Sequence, residues 1–163
     1  MLCAALSALG VVVIYLGKLL SVMDISMAVI ASLFCAIAVI EYGKAAPWLV
    51  YAVTSALSLI LLPDNTAAWI YVLFFGFYPI IKSKLEKLKK PLAWFFKELI
   101  FNFSLAVMLI AEKLLLTANT EEPLLLYILF ILLAETVFPL YDLVLTRLTV
   151  LYIRRIRPKF KFK

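Results

Sequence analysis

The sequence contains no histidine and only two cysteines, Cys3 and Cys35, among its 163 residues. A metal site built from histidines or clustered cysteines is therefore excluded, and no metal or other cofactor is expected. The two cysteines lie in separate apolar runs, which argues against a disulfide framework. Charged residues are also scarce, at 16%, whereas soluble proteins carry about 25%.

Apolar residues, by contrast, are abundant. They make up 66% of the chain, and the mean hydropathy is +1.10. This composition predicts an integral membrane protein in contact with the lipid bilayer. The net charge is +6, but the basic residues are bunched beside apolar runs. Such bunches determine membrane topology, so no nucleic-acid partner is expected.

Hydrophobic windows of about 17 to 25 residues predict an all-α fold with six membrane-spanning helices in one bundle. The predicted spans are about 2–20, 25–42, 45–62, 66–81, 91–116 and 124–154. No basic residue precedes the first span, so we expect a retained helix and no cleaved signal peptide. No Pro-, Gly- or Ser-rich linker divides the chain, which predicts a single domain over 1–163.

Two basic segments predict the orientation of the chain in the membrane. One is a basic interfacial loop at 82–90, which we expect to form a short amphipathic helix, and the other is a C-terminal tail at 154–163. With six spans, both segments lie on the same side. Because lysine and arginine are enriched in cytoplasmic loops, we expect both termini to be cytoplasmic.

Each of the last two predicted spans carries two charged residues at matching depth on the cytoplasmic side. Lys97 and Glu98 are about 10 Å from the cytoplasmic end of the fifth span, at about 1.5 Å per residue. Asp142 and Arg147 lie at similar depth in the antiparallel sixth span. We therefore predict Lys97–Asp142 or Glu98–Arg147 ion pairs. A structural clasp between the helices is the favoured interpretation, and the lining of a solute or proton path is the alternative.

Glu135 lies nearer the middle of the sixth span, and no opposite charge is found at its level. A structural role and a solute contact both stay open for this residue. Further polar and aromatic residues are expected near the outer mouth: Trp69, Tyr71, Glu112, Lys113 and Tyr127. Their convergence suits a small-molecule pocket. The alternative is the belt of tryptophan and tyrosine found at every membrane interface.

The first span carries a strip of small residues, with Ala4 and Ala8 one helical turn apart in AALSA. Small residues allow another helix to approach closely, either a partner or a helix of the same bundle. Signatures of enzymes are missing: the sequence has no HExxH, no phosphate-binding loop and no GxSxG. We therefore do not expect an enzyme.

The six-span layout, the cytoplasmic termini and the AALSALGVVVIYLG opening resemble the S component of energy-coupling factor (ECF) transporters. That family's S component is the membrane subunit that binds a vitamin or similar micronutrient. The resemblance implies association with a transmembrane T subunit and two ATPase subunits in a prokaryotic cell membrane. It also implies that Ala4 and Ala8 contact the T subunit and that the outer residues named above, with Glu135, contact the substrate.

A second hypothesis is a membrane scaffold or assembly protein of a larger envelope complex that transports nothing. The small six-span subunit of the rod-shape complex is similar in size and layout. A transport subunit should hold a small molecule in an outward cavity. A scaffold should have a packed or lipid-filled centre and bind a cytoplasmic partner through its basic loop and tail.

Overall fold

The computed structural model describes residues 1–20, 23–43, 45–115 and 124–158, without the side chains at 112–115, 124, 126 and 156. These residues form helices joined by short turns and contain no strand. The helices are α1 (Leu2–Leu20), α2 (Asp24–Tyr42), α3 (Ala46–Leu61), α4 (Thr66–Ile70), α5 (Tyr78–Leu85), α6 (Lys90–Leu115) and α7 (Leu124–Leu151). Two π-helical turns follow α4 and α7, at Tyr71–Phe75 and Tyr152–Ile156.

Five helical segments are long and apolar enough to cross a membrane: Leu2–Leu20, Asp24–Tyr42, Thr66–Leu85, Lys90–Ala111 and Tyr127–Arg155. The sixth apolar helix, α3, has 16 residues. At about 1.5 Å per residue it is somewhat shorter than a hydrocarbon core of about 30 Å. The all-α fold is confirmed for the described residues, and it is compatible with a multi-pass membrane protein. The exact number of spans stays a prediction.

Small side chains bring α1, α2 and α3 together. Gly10 lies so close to α3 that an added Cβ would be 3.0 Å from Thr54 Cγ2. Ala28, Ala31 and Ala38 are buried on α2. Small residues let helix backbones approach closely, which strengthens van der Waals packing where lipid removes most of the hydrophobic drive. The interior of these three helices is therefore built from glycine, alanine, serine and threonine as well as from larger apolar residues.

The fourth segment differs from its prediction. It begins after the Pro63-Asp64-Asn65 turn, where the Asn65 side chain accepts a hydrogen bond from the Ala67 backbone N–H at 2.9 Å. It passes through the π-helical turn, is interrupted at Gly76 and Phe77, and resumes as α5. Since α5 ends at Leu85, the helix enters the predicted interfacial loop at 82–90. Pro79 lies in the first turn of α5. Backbone N–H groups there have no partner within the helix, so the missing N–H of proline is tolerated.

The chain divides into two compact units, Met1–Met108 and Leu109–Lys163, and α6 contributes to both. The first unit contains α1 to α5 and most of α6. The second contains the end of α6, α7 and the π-helical turn that follows it. The single-domain prediction stays a prediction. The basic tail is described as far as Pro158, so its remaining part, 159–163, lies outside the described residues.

Candidate functional site

The predicted small-residue strip lies on the exposed side of α1. Ala4 and Ala8 are both exposed, whereas Ser7, Gly10 and Ile14 are buried. The buried side is already used within the bundle, because Thr54 Oγ1 donates to the Ser7 carbonyl oxygen at 3.5 Å. The 3.6-residue period of a helix separates the two sides. Ala4 and Ala8 thus remain accessible to a helix from outside the first unit's core.

Trp69 and Tyr71, two predicted substrate-binding residues, lie in different surroundings. The Trp69 indole is partly exposed, and its Nε1 donates to the Pro63 carbonyl oxygen at 2.9 Å. That bond orients the ring beside the turn that precedes α4. Tyr71 is fully buried and contacts the Tyr51 ring with 6.3 Å between ring centroids. Trp69 is therefore accessible to a solute, whereas Tyr71 supports the interior.

Tyr51 connects α3 to the π-helical turn. Its hydroxyl donates to the Val72 carbonyl oxygen at 2.9 Å. In the same turn, the Gly76 N–H bonds to the Tyr71 carbonyl oxygen at 2.7 Å, which is the wider hydrogen-bond ring of a π-helix. A backbone carbonyl inside a membrane protein needs a partner from the protein, and a tyrosine hydroxyl supplies it here. Sequence reasoning missed this arrangement.

An aromatic cluster fills the space beside this turn. Phe74 is its centre, with ring centroids 4.9 Å from Tyr78, 5.2 Å from Phe75 and 5.4 Å from Phe101. Most of these pairs meet edge to face, the geometry that the charge distribution of aromatic rings favours. The run WIYVLFFGFYPII, in which six of thirteen residues are aromatic, was the signal for such a cluster.

A charged cluster forms where α5 meets α6. The Glu86 carboxylate lies 3.4 Å from Lys82 Nζ and 3.9 Å from Lys97 Nζ. Both lysine side chains are only 6% exposed, whereas that of Glu86 is 48% exposed. Lys97 Nζ also lies 5.3 Å from the centroid of the Trp94 ring, and a cation gains energy over an aromatic face. Lys82 is thus buried and pairs with a half-exposed Glu86.

Glu86 was not among the predicted pairing residues. It is the only acidic residue in KSKLEKLKK, and Lys82 precedes it by four residues, the spacing at which side chains meet on a helix. This four-residue spacing is the feature of the sequence that indicates the Lys82–Glu86 pair. The predicted Lys97–Asp142 and Glu98–Arg147 pairs would join the two units, and they stay predictions. Within the second unit Asp142 is buried and Arg147 is exposed.

The second unit contains the other predicted site residues. Tyr127 is partly exposed on α7. The side chains of Glu112 and Lys113 lie outside the described residues. Glu135 lines an open cavity of about 430 Å³ together with Ile128, Ile131 and Leu132. These three aliphatic residues were not predicted as site residues, because apolar side chains on a membrane helix are expected in any case.

Glu135 has an unusual environment for a charged residue in an apolar helix. Within the part of the chain that the structure describes, it makes no hydrogen bond and no ion pair. Its side chain is partly exposed, and its three neighbours in the cavity are exposed aliphatic residues. A carboxyl group at membrane depth is costly without a partner and rarely faces lipid. The surface that lines the cavity is nevertheless almost wholly apolar.

Comparison with known proteins leaves the family open. No protein-family model, no curated protein and no solved structure matches the chain.

Proposed function

We propose that this chain is the substrate-binding membrane subunit of an ECF-type uptake transporter for a vitamin or similar micronutrient. In this proposal six helices span a prokaryotic cell membrane, and both termini are cytoplasmic. The partners are a transmembrane T subunit and two ATPase subunits. The chain itself performs no catalysis and binds no cofactor.

One observation supports the partner contact in particular. Ala4 and Ala8 are exposed on α1 while the opposite side of that helix is buried in the bundle. A strip of two alanines one turn apart offers a shallow surface to the helix of another subunit, and close approach of two helices needs such a surface. The resemblance to S components implies that the T subunit binds at this surface of α1.

The substrate contacts are proposed for the outer side of the bundle. Trp69 supports this, because its ring is partly exposed and held by the hydrogen bond to Pro63. Tyr127 is also partly exposed. Glu112 and Lys113 are proposed as further substrate contacts because of their position in the sequence. Tyr71 would act indirectly, by supporting the helix that carries Trp69.

Replacing Ala4 and Ala8 with leucine tests the partner contact. The matched control is Ala52→Leu with Ala56→Leu, an exposed pair of alanines with the same spacing on α3. The tagged chain is purified from its native membranes, and the co-purified T subunit and ATPases are quantified. We expect at least a tenfold loss of the complex for the α1 pair and little change for the α3 pair. Equal recovery of the complex from both variants would contradict the proposal.

A membrane scaffold is the second candidate, and the aromatic cluster favours it. Phe74, Tyr71 and Tyr78 are buried and tightly packed in the first unit. A packed centre suits a scaffold better than a solute-binding subunit. Native mass spectrometry of the purified chain separates the two candidates. A bound small molecule released from the wild-type chain and absent from a Trp69→Ala variant would support uptake, and its absence from both would favour the scaffold.

A further inference from the structure

A group of exposed lysines lies where α5 ends and α6 begins. It consists of four residues within seven positions: Lys84, Lys87, Lys89 and Lys90. Glu86, the only acidic residue in this stretch, already pairs with two buried lysines of α5 and α6. Within the part of the chain that the structure describes, none of the four exposed lysines pairs with a carboxylate. Their positive charge is therefore available to a partner from outside.

Two tryptophans lie beside these lysines. Lys84 Nζ is 5.9 Å from the centroid of the Trp48 ring, near the start of α3. Trp94 follows Lys90 by four residues on α6, so the two side chains share one side of that helix. Of the three tryptophans in the sequence, all of them described, Trp69 alone donates its indole N–H to a protein acceptor. The four lysines, Trp48 and Trp94 together form what we call the basic–aromatic surface.

Exposed apolar side chains are interspersed with the charges along the chain. Leu88, Leu92 and Phe95 are each at least 42% exposed. A nucleic acid would neutralise the lysines but leave these side chains in water. A phospholipid covers both kinds of residue, because its phosphate group lies directly above its acyl chains. The combination of residues therefore favours lipid as the occupant.

The position of the lysines in the chain supports the same occupant. They lie at the junction of two segments that are long and apolar enough to cross a membrane, Thr66–Leu85 and Lys90–Ala111. Only residues 86–89 separate these segments, and such a connection reaches at most about 14 Å when fully extended. The lysines therefore stay close to the ends of both apolar segments. Where these segments cross a bilayer, the lysines lie at the level of the lipid headgroups.

We propose that the basic–aromatic surface binds the headgroups of anionic phospholipids. The ammonium groups donate to phosphate oxygens, and the two indole N–H groups donate to phosphate or ester oxygens. The Trp48 ring positions the Lys84 ammonium group without occupying it with a carboxylate, so its N–H donors stay available. A zwitterionic headgroup brings a cation of its own, which the lysines repel, and this gives the surface its preference. The proposal does not rest on the ECF-type function.

Quenching of tryptophan fluorescence by brominated lipid tests the proposal, because two tryptophans lie within the surface itself. The full-length chain carries Trp69→Phe, so that only Trp48 and Trp94 report, and it is reconstituted in phosphatidylcholine vesicles. Phosphatidylglycerol or phosphatidylcholine with brominated acyl chains is then added in increasing mole fraction. At low salt, half-maximal quenching should need about fivefold less of the phosphatidylglycerol, and high salt should reduce this preference. Equal quenching by the two lipids would overturn the proposal.

A pair of substitutions tests the role of the lysines. Lys84→Gln with Lys90→Gln removes one charge beside each tryptophan and should reduce the preference to less than about twofold. The matched control, Arg154→Gln with Arg155→Gln, removes the same charge from exposed side chains after α7 and should keep the preference. An equal loss in both pairs would show that net charge alone attracts the lipid, which would overturn the proposal.

Charge-preserving variants separate a binding defect from a folding defect. Lys84→Arg with Lys90→Arg should keep the preference, since a phosphate group accepts from either side chain. All variants should unfold at the Tm of the parent chain, because the replaced side chains are exposed. A loss of preference in the arginine pair at an unchanged Tm would contradict a phosphate contact.

Native mass spectrometry tests the occupant in the protein as it comes from its own membranes. The wild-type chain should retain anionic phospholipid, and the Lys84→Gln, Lys90→Gln pair should lose most of it. An acidic protein that is bound to the wild-type chain in place of lipid, and is lost from this pair, would overturn the proposal.

Discussion

The Tyr51 hydroxyl donates a hydrogen bond to the Val72 carbonyl oxygen at 2.9 Å, across 21 positions of the sequence. It joins α3 to the π-helical turn at Tyr71–Phe75, which lies within the Thr66–Leu85 segment. A π-helical turn redirects the carbonyl groups of its helix, and one of them finds its partner on a neighbouring helix. The turn is thus stabilised by tertiary contact as well as by its own backbone bonds.

Removing this hydroxyl should destabilise the protein. Tyr51→Phe leaves the ring in place and removes the donor, so we expect a loss of about 0.5–2 kcal/mol in the free energy of unfolding. Thermal unfolding in detergent measures the effect as a lower Tm. Tyr15→Phe, on an exposed tyrosine of α1, is the control and should leave the Tm unchanged. A Tyr51→Phe variant as stable as the wild type would mean that the hydrogen bond contributes nothing.

Gly76 should not tolerate a side chain. An added Cβ would lie 2.6 Å from Tyr51 Cδ2 and 2.8 Å from Tyr71 Cε1, so both packed rings would have to move. We expect Gly76→Ala to cost about 1–3 kcal/mol of unfolding free energy. The same substitution in a Tyr51→Leu background should cost less, because one of the two rings that the added Cβ strikes is gone. A double-mutant cycle measures this coupling, and strictly additive effects would contradict the explanation.

Asn65 has two roles that can be separated. Its side chain caps α4 by accepting from the Ala67 N–H, and it donates to the Ile14 carbonyl oxygen at 3.2 Å. We expect Asn65→Ala to cost about 1–2 kcal/mol. Asn65→Asp keeps the cap but turns a buried carboxylate oxygen toward the Ile14 carbonyl oxygen, so it should cost at least as much. The control is Asn102→Ala, on an exposed side chain that bonds within its own helix. Equal effects at both sites would argue against a special role for Asn65.

The charged cluster of Lys82, Glu86 and Lys97 should depend on its carboxylate. Glu86→Gln removes the negative charge between two buried ammonium groups. Because Glu86 is half exposed and partly screened by solvent, we expect a modest loss of about 1–2 kcal/mol, measured as a lower Tm. Raising the salt concentration should reduce the difference from the wild type. Asp64→Asn, on an exposed turn, is the control and should have no effect.

Much of the helical layout could be predicted from local patterns. The predicted first span, 2–20, coincides with α1, and the predicted second span differs from α2 by one residue. The third matches α3 within a residue at each end. These agreements arise because an apolar run interrupted by turn-forming residues is a local signal, and a helix in lipid must satisfy its own backbone. The fourth helical segment continues to Leu85, four residues beyond the predicted end of the span at 81 and into the basic segment at 82–90.

The candidate site was less predictable. Glu135 and the alanine pair of α1 stood out because their residue types are unusual or small for their surroundings. The groups around them did not stand out. Ile128, Ile131 and Leu132 look like any lipid-facing residues, and only the coordinates show that they form one cavity with Glu135. The pairing of Glu86 with Lys97 joins two helices, so the sequence pattern along either helix alone did not reveal it.

By itself, the sequence determined that the chain is helical, that its apolar runs are long enough to be compatible with a membrane and where its basic segments lie. Those properties follow from composition and from runs of neighbouring residues. The tertiary structure decided that Lys82 is buried, that Tyr51 holds a π-helical turn, and that Glu135 lines an open cavity. Burial and hydrogen bonding of these side chains depend on which helices lie side by side, and residues far apart in the sequence set that arrangement.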